Sequence, residues 1–302
     1  MHSSDDEVMA GAVLDRRRLH ELGVLLPVRL SALAFFSGRH PLGRPGEGMR
    51  FLRTRAFEPG QDNPRDIDRF SPPGELWINE WEAEAQANVT VYADTSASMQ
   101  FGPKAGLLRL TLLQLTYSLW RASDRVRVAL YAEDHEELVA KRNLKAQLEQ
   151  LMTELGDSTL RRGRDATGLL ADLARRRRSF RTDLLFVVSD FVDSIGSVTD
   201  VDAWRAVTRQ VGCDIVPVVI SFELPEQQFG SLRLWDAERG EHRLMFVTPA
   251  RLAAINGAER ERVAGLQRLF RRTGLDCLVL RHDTDVYPEL AKLAVWRRKQ
   301  RN

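Results

Sequence analysis

The sequence predicts an α/β fold, a doubly wound and mostly parallel sheet with helices on both faces, behind an irregular N-terminal appendage. Three observations predict it. From about residue 86, strand-like and helix-like segments alternate. One strand-like run, Leu184 to Val188, is apolar without alternation, as in a strand covered on both faces. The first 85 residues instead concentrate chain breakers: Gly38, Gly43, Pro45, Gly46 and Gly48, then Pro59, Gly60, Pro64, Pro72, Pro73 and Gly74. The expected division is therefore an appendage over 1–85 and an α/β domain over 86–302.

Within the appendage, Leu19 to Phe36 reads as one helix broken or kinked at Pro27. Trp77-Ile78-Asn79-Glu80-Trp81 alternates and reads as an edge strand. Its tryptophans, with several phenylalanines, argue for packing rather than a flexible linker. In the α/β domain, Val89 to Ala93 reads as a buried strand and Leu107 to Trp120 as a helix. Val126 to Tyr131 reads as a second strand, at a separation that fits one βαβ crossover. A short strand over Glu137 to Ala140 is expected next, then helices over Leu144 to Leu155 and Thr167 to Arg178. Gly212 and Gly274 each stand just before an apolar run, Ile215 to Ile220 and Cys277 to Leu280. Each is expected to end a helix in the left-handed conformation, with a strand beginning just beyond. Between them, Leu232 to Val247 reads as a β-hairpin turning around Glu238 to Glu241. Pro249 to Arg272 reads as a long, arginine-rich amphipathic helix, and Pro288 to Gln300 as a last short one.

Composition narrows the function classes. The 43% hydrophobic and 28% charged content is that of an ordinary globular protein. A net charge of +2 supplies no bulk field for nucleic acid, and no nucleic-acid partner is expected. The run Arg175 to Arg178 reads as the solvated last turn of a helix, where cations suit the dipole. Cys213 and Cys277 lack metal-ligand spacing and read as buried, reduced thiols. The acidic start, Met1 to Glu7, is not a signal peptide. No run approaches the roughly 20 apolar residues of a membrane span. A cytoplasmic location is expected.

Chemistry concentrates at Asp94-Thr95-Ser96-Ala97-Ser98, which closes the first strand of the domain. In open α/β sheets ligands bind at the carboxyl ends of strands. One carboxylate and two hydroxyls at alternate positions form an oxygen-only set. Such a set suits a hard ion, Mg²⁺ or another divalent cation such as Mn²⁺ or Ca²⁺. The same residues also suit a turn that caps the next helix. Ser189-Asp190 ends the buried strand 184–188 and offers a second carboxylate at an equivalent strand end. Asp193 is placed to bind through water or to turn the chain.

The Asp-x-Ser-x-Ser spacing resembles the metal-ion-dependent adhesion site of von Willebrand factor A domains. That resemblance implies Asp94, Ser96, Ser98 and Asp190 as ligands, and a threonine from a third loop between two helices. Gly163-Arg164-Asp165-Ala166-Thr167-Gly168 occupies that region. Aligned on Gly168, Asp165 falls where the threonine is expected. Thr167 serves only with a different loop geometry, and Asp165 is equally suited to N-capping the helix.

A wider resemblance starts upstream. Arg53-Thr54-Arg55-Ala56-Phe57-Glu58-Pro59-Gly60-Gln61-Asp62-Asn63-Pro64-Arg65-Asp66-Ile67-Asp68 is similar to a signature with an Arg-x-aromatic-x-Pro-Gly-Asp core. Gln61 stands where that core has aspartate, and Phe70 near where its continuation has tryptophan. Glu75 to Glu82, Asp94 to Met99, Lys104 and Asp124-Arg125-Val126 continue the pattern in order. It belongs to a bacterial family designated domain of unknown function, number fifty-eight. The resemblance implies a von Willebrand factor A-like fold. It also implies pairing with MoxR-type AAA+ ATPases in the maturation or remodelling of other proteins.

The expected function is therefore a non-enzymatic, metal-assisted protein-binding module, partner of an AAA+ ATPase of MoxR type or of its client. The alternative is a phosphatase-like, metal-dependent hydrolase with Asp94 as nucleophile. Such a site needs an acid/base aspartate two residues on, and that position is Ser96. A hydrolytic set of Ser189, Asp190, His282 and Asp283 lacks a Gly-x-Ser-x-Gly elbow. No Gly-Lys-Ser/Thr phosphate loop occurs, so ATP hydrolysis is left to a partner.

Overall fold

The structure is a computed structural model. It describes residues 45–64, 67–82, 87–100, 102–121, 125–132, 135–139, 143–156, 168–180, 182–193, 196–225, 230–236, 241–282 and 286–300. The helix expected over 19–36 lies outside them, as do Asp165 and Thr167. The chain divides into a unit of Phe36–Gln86 and a second unit that contains Ala87–Asn302.

In the smaller unit, β1 (Pro45–Ala56) pairs antiparallel with β2 (Trp77–Glu82). The edge strand expected at Trp77 is β2. β1 was hidden by its glycines, and its register shifts twice, between Pro45 and Arg50 and between Phe51 and Arg53. Arg53 and Arg55 stand two apart on one face of β1 and both reach Glu80 of β2, at 2.7 and 2.5 Å. Arg55 also grips Asp62 through two nitrogens, at 2.7 and 2.6 Å. Asp62 in turn accepts from the Glu58 amide at 2.8 Å, across the turn that contains Gly60 at φ 90°. The Arg-x-Phe-x-Pro-Gly stretch is thus a clamp of bidentate charge-assisted bonds. The Arg55 hydrogen bonds hold the Asp62 carboxyl below its ordinary range. Those of Arg53, then Arg55, do the same for Glu80.

The larger unit alternates strand and helix. Its elements are β3 (Asn88–Asp94), α1 (Lys104–Arg121), β4 (Arg125–Ala132), β5 (His135–Val139), α2 (Leu144–Gly156) and α3 (Leu169–Phe180). There follow β6 (Leu184–Ser189), α4 (Val201–Val211), β7 (Asp214–Ile220), a hairpin of β8 (Gly230–Asp236) and β9 (Glu241–Val247), α5 (Pro249–Thr273), β10 (Leu278–Leu280) and α6 (Val286–Gln300). The main sheet has the order β10-β7-β6-β3-β4-β5. Five strands run parallel, and β5 is antiparallel at the β4 edge.

Both faces of this sheet are covered. Tyr92, Ala129, Leu185, Val187, Ile215 and Val219 join one apolar layer with residues of α3, α4 and α5. Trp204 and Phe270 meet there edge to face, with ring centroids 5.1 Å apart. The alternate strand positions, such as Val91, Val128, Phe186 and Val218, are equally buried. Helix α1 contacts β3, β4 and β7 and packs with α2 and α6. The glycine stops fall as expected: Gly212 ends α4 at φ 69° and Gly274 ends α5 at φ 76°, both left-handed. The last helix begins at Val286 rather than Pro288, because proline is tolerated within a first turn, where its missing amide has no acceptor to serve.

The topology creates one crevice that matters. From β3 the chain crosses outward to β4, whereas from β6, the other neighbour of β3, it crosses the opposite way to β7. The connections leaving these two adjacent strands diverge, which is the condition for a topological switch point.

Candidate metal centre at the switch point

Parallel pairing aligns Ala93 with Val188, so Asp94 and Ser189 lie side by side where β3 and β6 end. The loop after β3 is pinned to β4. The Thr95 amide and hydroxyl both donate to the Tyr131 carbonyl, at 2.7 and 2.8 Å. The chain then enters a 3₁₀ turn, Ala97–Gln100, closed by the Met99 amide on the Ser96 carbonyl. That turn aligns the two hydroxyls: Ser96 Oγ lies 3.2 Å from Ser98 Oγ.

On the facing strand end, the Ser98 hydroxyl donates to Asp190 Oδ1 at 3.3 Å. Phe191, just beyond, has φ 53°, a strained value for a bulky residue. It is held by burial of its ring against Trp204 and Phe270, with centroids 5.9 and 5.4 Å away. Asp190 is fixed by its own amide on Met99 Sδ at 3.2 Å and by the Val192 amide on its Oδ1 at 3.1 Å. The sequence-predicted residues Asp94, Ser96, Ser98 and Asp190 therefore converge. Asp193 does not join them. Its carboxylate accepts from the Ser197 hydroxyl and the Val198 amide, and so turns the chain.

Three further residues act here: the sequence sets Ser189 at the strand end and Lys104 in the family pattern without a role at this centre, and does not single out Arg262. Ser189 Oγ donates to Asp94 Oδ2 at 2.6 Å and accepts from the Phe191 amide at 2.9 Å. The Lys104 ammonium donates to Asp190 Oδ2 at 2.7 Å. Arg262 donates to the Asp190 carbonyl while its fork holds Glu259, at 2.7 and 2.8 Å. Lys104 had one available signal, a cation in the first turn of a helix, where the macrodipole disfavours it. Arg262 had none among the many arginines of α5.

The electrostatics favour a cation. Asp94, Ser96 and Asp190 are buried, and half-buried Ser98 forms the open side. Burial, and then the neighbouring Asp190 carboxylate, pushes the Asp94 carboxyl up to about 6. Among the described residues, Asp94 and Asp190 are two buried carboxylates with one ammonium, that of Lys104, bonded to a carboxylate oxygen. The donor set is oxygen-only, and its spacing suits a small octahedral ion. Metal–oxygen bonds of about 2.1 Å imply edges of about 3.0 Å between adjacent ligands. The Ser96–Ser98 and Ser98–Asp190 oxygen pairs, at 3.2 and 3.3 Å, are close to that. Among the described residues no group of three or more His, Cys, Asp or Glu side chains is placed to hold a metal, so any ion here depends on the serines. A Cβ at Gly168 would collide with the Tyr131 hydroxyl, so a larger residue there requires the Tyr131 side chain to shift.

The fold and this site define an α/β protein with a polar, dicarboxylate crevice at a parallel-sheet switch point. The family described as "Protein of unknown function DUF58" matches residues 53–262, and the chain belongs to it. No curated protein matches the chain. Among solved structures it is similar to an aerotolerance-related membrane protein from Bacteroides fragilis NCTC 9343, at 15% identity over 68% of this chain and 98% of that one, with a TM-score of 0.43. The PilB minor pilin of Streptococcus sanguinis matches at 10% identity, over 77% of this chain and 67% of that one, with a TM-score of 0.39. The human COPII-coat protein Sec24c matches at 10% identity, over 72% of this chain and 32% of that one, with a TM-score of 0.36. At such TM-scores the likenesses say nothing about activity or partners.

Proposed function

We propose that the chain is a metal-assisted protein-binding module of von Willebrand factor A type, working beside an AAA+ ATPase of MoxR type or on that ATPase's client. The observation that carries this reading is the convergence of Asp94, Ser96, Ser98 and Asp190 at the switch point, with the Ser96–Ser98 and Ser98–Asp190 oxygen pairs at spacings that suit an octahedral ion. Asp94 and Asp190 would supply the charge, and Ser96 and Ser98 the neutral oxygens. A Mg²⁺-class ion bound there supplies an electrophilic position that a partner's carboxylate can take in place of water. The chain's own residues bind and orient. Ser189 and the Ser96 amide hold the two Asp94 oxygens, and Met99 and Val192 hold Asp190.

The hydrolase alternative finds little support in the same geometry. Both Asp94 oxygens are engaged, Ser96 stands where an acid/base carboxylate is needed, and the buried Ser189 hydroxyl is committed to Asp94. Two free cysteines fit a reducing compartment, which supports a cytoplasmic location. Among the described residues no helix is long and apolar enough to cross a membrane.

Calorimetric titration of chelator-stripped protein with Mg²⁺ or Mn²⁺ tests the reading. Saturable binding is expected in the wild type and none in Asp94→Ala. Equal affinity in the two proteins removes the site from this account.

A further inference from the structure

The cation that already touches the centre belongs to the protein. Lys104 Nζ lies 2.7 Å from Asp190 Oδ2 and 3.4 Å from the Ser98 carbonyl. Its side chain is 13% exposed and that of Asp190 is fully buried. We propose that Lys104 is a tethered counter-ion of this edge, and that a divalent ion binds by exchange with the Lys104 ammonium. The inference rests on the metal-binding reading above and adds the step that regulates it.

Charge accounting leads there. Among the described residues Arg262 is the other cation in contact with Asp190, through the backbone carbonyl, and Glu259 neutralises it through paired hydrogen bonds. The partners recorded for the Asp94 carboxylate, the Ser96 amide and the Ser189 hydroxyl, are neutral. Among the described residues the edge then holds two carboxylates against one ammonium. A divalent ion in place of that ammonium balances them.

Position argues the same way. Lys104 is the first residue of α1, whose first turn carries no acidic residue. A cation there opposes the helix macrodipole, so helix formation alone does not favour it. A lysine stem is also long and flexible, so the ammonium can swing into solvent without moving the backbone. Exchange would therefore leave the strand ends intact while freeing one positive charge beside half-buried Ser98, on the side a partner approaches. Without an ion, the same ammonium keeps Asp190 paired and links it to the Ser98 carbonyl.

Lys104→Met and Lys104→Gln, with wild type and Asp94→Ala, separate the possibilities. Mn²⁺ affinity is read by calorimetry, and melting temperature is read in chelator and in Mn²⁺. Removing a competing charge beside a dication should tighten Mn²⁺ binding about tenfold or more. Both variants should melt below wild type in chelator and regain stability in Mn²⁺. Should Lys104→Met fold only with Mn²⁺ present, that dependence also supports the exchange. Wild-type binding with unchanged or weaker affinity in Lys104→Gln overturns the counter-ion role and leaves the metal centre standing. No Mn²⁺ binding by wild type or either lysine variant overturns both.

Discussion

Cys213 and Cys277 show how far a residue's surroundings change its chemistry. Burial, then the Asp214 and Asp183 carboxylates, pushes the Cys213 thiol up to about 12. Burial pushes Cys277 to about 11, with Arg271 opposing and Asp276 adding. Folded-state values above the ordinary 9.0 mean that the folded chain keeps protons the unfolded chain would lose. The stability contributed by the neutral thiols is thus complete below pH 9 and is lost as pH rises through about 11 and 12. At pH 8 alkylation of the native protein should be slower by about two orders of magnitude than in urea, since the thiolate is the nucleophile. Comparable rates in the two states would contradict these surroundings. The readings made from sequence at this scale follow chemistry carried by local spacing. Asp94, Ser96 and Ser98 lie within one pentapeptide, and Asp190 closes an apolar run, so each was visible. Lys104, Ser189 and Arg262 act on the centre across tertiary distances, and local spacing alone assigns none of them a role there. Asp165 and Thr167 lie outside the described residues.

Among the elements, α6 depends on one side chain. Arg297 is 2% exposed and bridges Asp214 at the start of β7, at 2.7 Å, and Asp276 ahead of β10, also at 2.7 Å. It ties the last helix to the ends of two adjacent parallel strands. Arg297→Ala leaves two carboxylates facing an emptied site and should destabilise the protein by about 3–5 kcal/mol. Urea unfolding followed by circular dichroism checks this, with Arg297→Lys expected to lose less because it keeps the charge but not the fork. A loss below about 0.5 kcal/mol would mean that the buried pairs contribute nothing, as exposed pairs often do. The helix itself was legible from its apolar spacing. Arg297 was not, because in the run Arg297-Arg298-Lys299 nothing in the sequence marks which cation is buried. β1 was missed for a related reason: Gly46 and Gly48 interrupt the alternation that marks a strand, and its pairing with β2 comes from the Arg55 clamp. β6 was legible because a strand covered on both faces is apolar throughout, and β3, β4 and β7 because their apolar runs are interrupted only at Thr90, Arg127 and Pro217.

For the whole molecule, the proposed function predicts association that depends on the ion and on charge. Surface binding to the MoxR-type ATPase should require Mg²⁺, weaken with salt, and disappear in Asp94→Ala. The resemblance, which sets Asp165 where a threonine ligand is expected, predicts stronger binding in Asp165→Thr. Binding indifferent to chelator and to Asp94→Ala would exclude the metal bridge. Sheet order adds a last consequence. Ser189 and Asp94 meet across 95 residues of sequence, because β6 inserts beside β3 only after the chain has gone out to β5 and returned. A nascent chain that has left the ribosome as far as α3 already carries the full Asp94-to-Ser98 stretch, yet it has no second wall to the crevice. Only synthesis past Asp190 completes it, so a partner that recognises the crevice also distinguishes chains that extend past Asp190 from those cut before it.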